Sequence, residues 1–329
     1  MNQSRQTLLT HWARQQLADP ALQLTLISGD ASFRRYYRGG GLIWVDAPPQ
    51  TEKNGAFIQV AGALAAAGIP APRVRQADLQ QGFLAVTDLG DRQLLAELND
   101  QTVAAWYAKA IAVLPRLAQL PLAAQLPAFD VDFMAVENSI FPQWLLERHL
   151  GLTLSRAERQ LLADGFACLT DNNLAQPQVA MHRDYHSRNL MVVDDEALAL
   201  LDFQDMVRGP LTYDLVSLLR DCYIRWPDAV IQDGQSQAYG LYQAAGLLAG
   251  YSRDEFAYAF DLTGLQRHLK AAGIFARLHH RDGKPGYLPD IPRTLDYVLQ
   301  VAQRHEPLQD LAHWLSTRVL THKELQCAP

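Results

Sequence analysis

The sequence predicts an α+β protein with a small β-rich N-terminal lobe and a larger helical C-terminal lobe. Its 329 residues are enough for about two lobes, and 49% of them are hydrophobic, which is typical of a globular protein with a sizeable core. In the first ninety residues, short apolar runs alternate with turns rich in glycine and proline. From residue 101 onward, apolar residues recur at helical spacing. Together these observations predict a bilobal molecule with a cleft between its lobes.

The N-terminal lobe, residues 1–90, is predicted to contain two helices and five strands. The helices cover residues 7–17 and 52–67, and the strands cover 22–27, 33–38, 42–45, 73–77 and 83–87. Gly68, followed by Pro70, is predicted to end the second helix. The remaining residues, 91–329, form the C-terminal lobe. Its helices are predicted over 101–117, 133–150, 155–172, 212–225, 236–247, 253–278 and 292–303, with one hairpin over 190–193 and 197–201.

Composition and charge exclude several classes of protein. The formal net charge of -6 is unlike that of a general nucleic-acid binder, which would have a basic domain. Cys168, Cys222 and Cys327 are far apart, which predicts a reducing compartment without disulfides or a zinc knuckle. The chain has no run of 18 apolar residues for a membrane span and no apolar N-terminal signal region. We therefore expect a cytoplasmic protein with no nucleic-acid or membrane partner.

The most informative stretch of the sequence is His182-Arg183-Asp184, followed by Asn189 and then by Asp202. It matches the kinase catalytic loop H-R-D-x-x-x-x-N and the metal-binding aspartate that follows a strand. Asp184 would accept the proton of an attacking hydroxyl. Asn189 and Asp202 offer the oxygen ligands that Mg²⁺ prefers. Although each residue alone could be a chance match, the combined spacing predicts kinase-type phosphoryl transfer.

Two neighbouring residues are predicted to be structural. His182 and His186 are four residues apart, as in zinc proteases, but Arg183 stands where that site requires glutamate. We therefore expect His182 to pack against the loop and fix it. Asp214 follows a Gly-Pro pair at a predicted helix start, where aspartate is a good cap. We expect it to organise the loop without contacting substrate.

These motifs resemble the aminoglycoside phosphotransferase/choline kinase family, which has a protein-kinase-like bilobal fold. Four segments are also similar to the bacterial anomeric sugar kinases of cell-wall recycling: residues 32–37, 202–205, 213–223 and 273–278. The resemblance implies ATP and Mg²⁺ as cofactors. It also implies phosphorylation of the C1 hydroxyl of N-acetylmuramate and N-acetylglucosamine during peptidoglycan recycling in the cytoplasm.

The phosphate-binding residues depart from the wider fold, because the third strand, residues 42–46, lacks the usual lysine. Three explanations remain open. Arg34 and Arg35 would supply the positive charge, since guanidinium suits phosphate; alternatively, Lys53 would reach in; or the protein is a pseudokinase. Gly29 and Ser32 belong to a tight turn whose backbone N–H groups would approach phosphate.

The other ligand contacts are predicted from the fold resemblance and from polarity. Adenine would bind the hinge backbone at Val86, Asp88 and Leu89. The expected sugar contacts are polar residues near the catalytic loop and in the late helical segment: His186, Arg188, Asp205, Arg220, Tyr223, Arg277 and His279. N-acetylmuramate is an anion, so Arg277 or His279 would pair with its carboxylate, unless these residues are ordinary helix-end charges. Asp205 would accept sugar hydroxyls.

Two other functions remain open from the sequence. One is a kinase with a different acceptor, such as an aminoglycoside, choline or another sugar. The other is a nucleotide-binding pseudokinase, which the missing strand lysine favours and which the intact Asp184, Asn189 and Asp202 oppose. The oligomeric state is left undetermined.

Overall fold

A computed structural model describes residues 4–28, 34–194 and 197–326. The chain divides into two compact units, which we treat separately. Unit 1 comprises Met1–Asn99, Leu120–Leu122 and Arg188–Asp205. Unit 2 comprises Asp100–Gln119, Ala123–Ser187 and Met206–Pro329. The predicted lobe boundary after residue 90 stays a prediction.

The regular elements follow the order expected for an α+β chain. The helices are α1 (Arg5–Leu17), α2 (Asn54–Ala66), α3 (Leu94–Glu97), α4 (Val103–Ala118), α5 (Val131–Ile140), α6 (Arg156–Ala175), α7 (Tyr213–Leu219), α8 (Asp228–Ala244), α9 (Arg253–Asp282), α10 (Asp290–Ala302), α11 (Gln309–Trp314) and α12 (Lys323–Gln326). The strands are β1 (Thr25–Ser28), β2 (Arg35–Gly39), β3 (Leu42–Asp46), β4 (Val74–Asp78), β5 (Phe83–Thr87), β6 (Gln178–Met181), β7 (Leu190–Val192), β8 (Leu198–Leu200) and β9 (Val207–Pro210).

A five-stranded antiparallel sheet in the order β1-β2-β3-β5-β4 forms the centre of unit 1. Trp44 of β3 is fully buried and donates its indole N–H to the Gly39 carbonyl at 2.9 Å. Trp12 of α1 lies edge-on against Trp44, with ring centroids 5.5 Å apart, and also contacts Phe83. These aromatic contacts fix α1 on one face of the sheet.

The β7–β8 hairpin also belongs to unit 1. The Val192 N–H donates to the Arg92 carbonyl at 2.8 Å, and the Leu200 N–H donates to the Pro70 carbonyl at 2.9 Å. These bonds attach both hairpin strands to the segments that flank the sheet. The residues at the two ends of the hairpin, Asn189 and Asp202, are thereby held in unit 1.

Helix α9 lies at the centre of unit 2 and packs against α5, α6, α7 and α10. A capping box between Ser252 and Glu255 begins the helix, and Gly283, with a positive φ of 67°, ends it. Leu262, Leu265 and Leu269 of this helix are almost fully buried. A separate two-stranded ribbon, β6–β9, pairs Met181 with Val207 at the point where the chain leaves β6.

The predicted α+β class, with a sheet-containing N-terminal part and a mostly helical remainder, is confirmed. Several local features differ from the sequence expectation. The helix predicted over 236–247 begins eight residues earlier, at Asp228. The predicted helix over 133–150 is α5 followed by a π-helical segment, Phe141–His149, in which Pro142 lacks the N–H of an α-helical bond. The predicted helix over 212–225 ends at Leu219. Strands β6 and β9 were not expected from the sequence; in β6 the three buried residues are consecutive and give no alternating pattern. Within the described residues, no helix has the length and apolar character that a membrane crossing requires.

Candidate active site

The loop that follows β6 is held by a buried carboxylate. Asp214, at the start of α7, accepts backbone N–H bonds from His182 at 2.7 Å and from Arg183 at 2.9 Å. Arg183 has a positive φ of 77°, a strained conformation for a side chain of this size. Burial raises the pKa of Asp214 to about 6, although both N–H bonds favour its charged form. Asp214 is not the helix cap that the sequence suggested, because Thr212 is the N-cap residue of α7 and Asp214 lies in its first turn. Its role as an organiser of the loop stays a prediction, which these two bonds support.

Further contacts fix the rest of this loop within unit 2. Asp221 accepts bonds from both the backbone N–H and the hydroxyl of Ser187, at 3.0 and 2.5 Å. The Tyr185 hydroxyl donates to the Ala110 carbonyl at 2.8 Å, so its ring is anchored in the core. His182 is buried with its ring edge-on to Tyr185. The loop is therefore fixed on both sides of Asp184.

Asp184 is half-buried and remains ionised in a positive environment. Burial acts to raise the pKa of Asp184, but the positive charges of Lys270, His186 and Arg183 outweigh it and hold the pKa at about 2. A carboxylate in this state accepts hydrogen bonds strongly and is a weak base. It is suited to orienting a hydroxyl group.

A buried ion-pair network lies beside Asp184. Glu137 of α5 accepts from Lys270 at 2.7 Å and from Arg183 at 2.6 Å. Burial raises the pKa of Glu137, but the charges of Lys270 and Arg183 lower it by more, so the carboxylate stays ionised. The network connects α5, α9 and the catalytic loop and fixes the cations that face Asp184.

These groups line a cavity of about 460 Å³ that lies wholly within unit 2, hereafter the unit 2 cavity. Its volume is in the range of small-molecule sites. Charged and polar side chains line one part, and aliphatic and aromatic side chains line the rest: Phe133, Val136, Ile140, Ala271, Ile274 and Phe275. A ligand with a hydroxyl group and an apolar face fits such a lining.

A second cavity, of about 670 Å³, lies wholly within unit 1 and is hereafter the unit 1 cavity. Its walls come from the sheet, from the start of α2 and from the β7–β8 hairpin. The predicted hinge residues Val86, Asp88 and Leu89 all line it. Asp88 accepts two bonds from the Arg38 guanidinium, at 2.7 and 2.9 Å, so its side chain is already held.

Arg34 is the buried cation of the unit 1 cavity. Its side chain is 2% exposed, its Nε lies 3.0 Å from Glu52 Oε2, and its guanidinium lies over the Phe57 ring at 5.3 Å. Arg35, the next residue on β2, is exposed and does not line the cavity. Lys53 lines the cavity, but its side chain is 73% exposed and pairs with Asp205 at 3.2 Å.

Asn189 and Asp202 both line the unit 1 cavity. The Leu201 N–H donates to the Asn189 carbonyl at 2.8 Å, which ties the two ends of the hairpin together. Asp202 has a positive φ of 60° and accepts a bond from Gln204 at 2.7 Å. One exposed carboxylate and one amide oxygen fit Mg²⁺, which takes few protein ligands and completes its shell with phosphate and water. The described residues contain no cluster of three or more His, Cys, Asp or Glu suited to a metal.

The structure distributes the predicted sugar-contact residues among several places. His186, Tyr223 and Arg277 line the unit 2 cavity, whereas Arg188 and Asp205 line the unit 1 cavity. Arg220 is buried in an ion pair with Asp261 at 2.5 Å. His279 contacts the rings of His149 and His280. Their sugar-binding roles stay predictions.

Gly29 and Ser32, the predicted phosphate-turn residues, lie outside the described residues. Sequence reasoning also missed three charged residues of the unit 2 cavity, namely Glu137, Arg267 and Lys270. Five lining residues of α9 recur at intervals of one to three residues and share one face of the helix: Arg267, Lys270, Ala271, Ile274 and Arg277. That spacing is visible in the sequence, but the sequence does not tell which face of α9 borders a cavity.

The chain is similar to known proteins in its sequence family, in its overall sequence and in its fold. The sequence model of the phosphotransferase enzyme family matches residues 23–255. A Pseudomonas putida protein named N-acetylmuramate/N-acetylglucosamine kinase is 39% identical over 322 residues, covering 94% of this chain and 95% of the relative. A Neisseria meningitidis protein of the same name is 38% identical and covers 93% and 94%.

Solved structures show the same fold at low sequence identity. An ethanolamine kinase from Plasmodium vivax has a TM-score of 0.65 at 11% identity and covers 93% of this chain and 88% of that chain. An ADP-bound aminoglycoside phosphotransferase, APH(2'')-Ib, has a TM-score of 0.58 at 12% identity and covers 89% and 98%. The kinase-like fold expected from the sequence is thus confirmed. Since the family model spans most of the sequence and the relatives match over nearly their full length, the chain belongs to the phosphotransferase enzyme family.

Proposed function

We propose that this protein transfers the γ-phosphoryl group of ATP to the C1 hydroxyl of N-acetylmuramate and N-acetylglucosamine. The names of its relatives, at 38–39% identity over most of the chain, support this choice of acceptors. The structural observation on which the proposal rests is Asp184, an ionised carboxylate at the wall of a cavity of small-molecule size. The proposal places the protein in the cytoplasm, in the salvage of cell-wall sugars.

Asp184 would accept a hydrogen bond from the C1 hydroxyl and orient its oxygen for attack. Because the pKa of Asp184 is about 2, it would take the proton late, as the new phosphorus–oxygen bond forms. The anomeric hydroxyl is more acidic than an ordinary alcohol, so a weak base is sufficient. Most of the rate acceleration would come from positioning and charge stabilisation.

We assign ATP to the unit 1 cavity. Arg34, held by Glu52, would bind phosphate in place of the missing strand lysine. Asn189 and Asp202 would hold Mg²⁺, which would neutralise phosphate charge when bound. The buried Arg34–Glu52 pair resembles the strand-lysine and helix-glutamate pair of protein kinases in charge, which argues for turnover and against a pseudokinase.

The charge of the unit 2 cavity argues against cationic acceptors such as aminoglycosides and choline. Four cations line it, Arg183, Arg267, Lys270 and Arg277, against the carboxylates of Glu137 and Asp184. A positively charged acceptor would be repelled there. A neutral or anionic sugar fits the charge.

A coupled ADP-release assay with Mg²⁺-ATP tests the proposal. Acceptors are N-acetylmuramate, N-acetylglucosamine, an aminoglycoside and choline. We expect turnover with the two amino sugars only, product NMR with phosphate at C1, and a loss of about 10²–10⁴-fold in kcat for Asp184→Asn. Asp233→Asn, which changes an exposed aspartate on α8, is the matched control and should keep full activity.

Two results would contradict the proposal. Turnover with the aminoglycoside or choline alone would show that the protein is a kinase and that the proposed acceptors are wrong. Absence of turnover with all four acceptors, with ATP binding intact by calorimetry, would identify a pseudokinase.

A further inference from the structure

We propose that Arg277 forms a carboxylate-binding subsite in the unit 2 cavity, which makes the anion N-acetylmuramate a better acceptor than the neutral N-acetylglucosamine. This inference rests on the proposed function. It concerns the selectivity between the two sugars. The name that the relatives share includes both sugars and does not say which is the better acceptor.

The cavity contains more positive charge than its own carboxylates neutralise. Glu137 pairs with both Arg183 and Lys270. Asp184, the second carboxylate, lies in the combined field of Lys270, His186, Arg183 and Arg267. Arg277 is not among the charges that act most strongly on Asp184. The carboxylates of Asp282 and Glu137 act on it from a distance, but among the described residues they form their ion pairs with other cations.

The polar atoms of Arg277 point to a missing anion. Its Nε is buried from solvent and has no hydrogen-bond partner among the described residues. A buried N–H without an acceptor is unfavourable. A bound carboxylate would satisfy it, since guanidinium and carboxylate form paired, charge-assisted hydrogen bonds.

The spacing along α9 separates Arg277 from the reacting position. Arg277 is seven positions after Lys270, or about 10 Å along a helix that rises about 1.5 Å per residue. Ala271 and Ile274 lie between them on the same cavity wall. Arg267 is at the other end, beside Asp184, and its Nη1 lies 3.5 Å from Cys222 Sγ. The wall therefore offers a polar end at Asp184, an apolar middle and a cation at the far end.

N-acetylmuramate matches this order of groups. Its reacting hydroxyl is on C1, the pyranose ring provides apolar faces, and the lactyl group on O3 extends its carboxylate away from C1. With C1 at Asp184, the carboxylate would lie toward Arg277. N-acetylglucosamine has only a hydroxyl at this position and leaves Arg277 without a counterion.

The decisive measurement compares three acceptors: N-acetylmuramate, its uncharged methyl ester and N-acetylglucosamine. For the wild type, we expect the acid to have the highest kcat/KM. For Arg277→Gln, we expect kcat/KM for the acid to fall about 10- to 100-fold, the worth of a charged hydrogen bond, and to fall much less for the other two. The ratio of acid to ester should therefore approach one in the variant.

Two control variants separate binding from general charge effects. Arg253→Gln removes an exposed cation from the other end of α9; Arg253 does not line the cavity and is not among the charges that act on Arg277, so the ratio should not change. Arg277→Lys keeps the charge and loses the forked geometry, so it should restore part of the preference. An equal fall for all three acceptors in Arg277→Gln, or an unchanged ratio, would overturn the proposal.

Failure of the proposed function can be recognised independently. If the wild type phosphorylated neither amino sugar, the proposed function would be wrong. Calorimetric titration with N-acetylmuramate alone would then decide on the subsite. Binding to the wild type that Arg277→Gln abolishes would support it, and no binding to the wild type would overturn it.

Discussion

At the scale of single residues, the buried Arg34 is our candidate for the phosphate-binding role that a strand lysine has in protein kinases. Arg34 is almost fully buried and paired with Glu52, whereas the side chain of Lys53 is mostly exposed and paired with Asp205. A buried, held cation can bind phosphate with little loss of side-chain entropy. An exposed ion pair contributes little.

We therefore expect Arg34→Ala to raise the KM for ATP by about 10- to 100-fold, and Lys53→Ala to raise it by less than about 5-fold. Initial rates over a range of ATP concentrations measure both values. Circular dichroism checks that Arg34→Ala is folded, since this variant leaves Glu52 without its partner. A larger effect of Lys53→Ala would instead assign phosphate binding to Lys53, just before α2.

The sequence could predict some of these residues and not others. Asp184, Asn189 and Asp202 were identifiable because the chemistry fixes their spacing along one short segment. Glu137 and Lys270 come from two different helices and meet the catalytic loop only through packing. A buried glutamate in a predicted helix has no local sequence signal that distinguishes it from a surface charge.

At the scale of elements, α9 approaches the chain closely where α5 continues into the π-helical segment. A Cβ atom added at Gly273 would lie 2.7 Å from the Ile140 carbonyl carbon and oxygen and 2.8 Å from the Phe141 Cα. All three are backbone atoms and cannot move aside by a change of rotamer. The absent side chain therefore sets the distance between these two elements.

We expect Gly273→Ala to lower the free energy of unfolding by about 1–3 kcal/mol, the usual effect of overpacking. Gly240→Ala in α8 is the matched control, because a Cβ there meets no atom within 4 Å. It should raise stability by about 0.5–1 kcal/mol through helix propensity. Urea denaturation followed by circular dichroism compares them. Equal effects would contradict the close approach.

Hydrophobic periodicity predicted most helices to within a few residues, because burial imposes the helical repeat on the sequence. It failed where that repeat changes. The apolar pattern continues through residues 133–150, although hydrogen bonding changes at Phe141. Strand β6 was missed because its buried residues, Val179, Ala180 and Met181, are consecutive and do not alternate with polar ones.

At the scale of the whole molecule, we assign one ligand to the unit 1 cavity and one to the unit 2 cavity. A ligand that binds only the folded state stabilises it by about 2.7 kcal/mol at one hundred times its Kd. Each ligand should therefore raise the thermal unfolding temperature through residues of its own unit. The change in unfolding temperature with each ligand therefore tests the two assignments separately, without any measurement of turnover.

Accordingly, we expect Mg²⁺-ATP and N-acetylmuramate each to raise the melting temperature of the wild type. Arg34→Ala should reduce the ATP shift and keep the N-acetylmuramate shift, and Arg277→Gln should do the reverse. Differential scanning fluorimetry measures all four combinations. Loss of both shifts in either variant would show that the two ligands do not bind through separate residues.

The face of α9 that lines the unit 2 cavity has a practical consequence for enzyme engineering. Ala271 and Ile274 contribute side chains of different size to that wall, while Asp184 and Asp214 lie on other elements. Placing a larger side chain at residue 271 and a smaller one at residue 274 would change the shape of the wall by a few methylene groups. A small library on α9 alone is then a route to variants that accept sugars with larger or smaller apolar substituents.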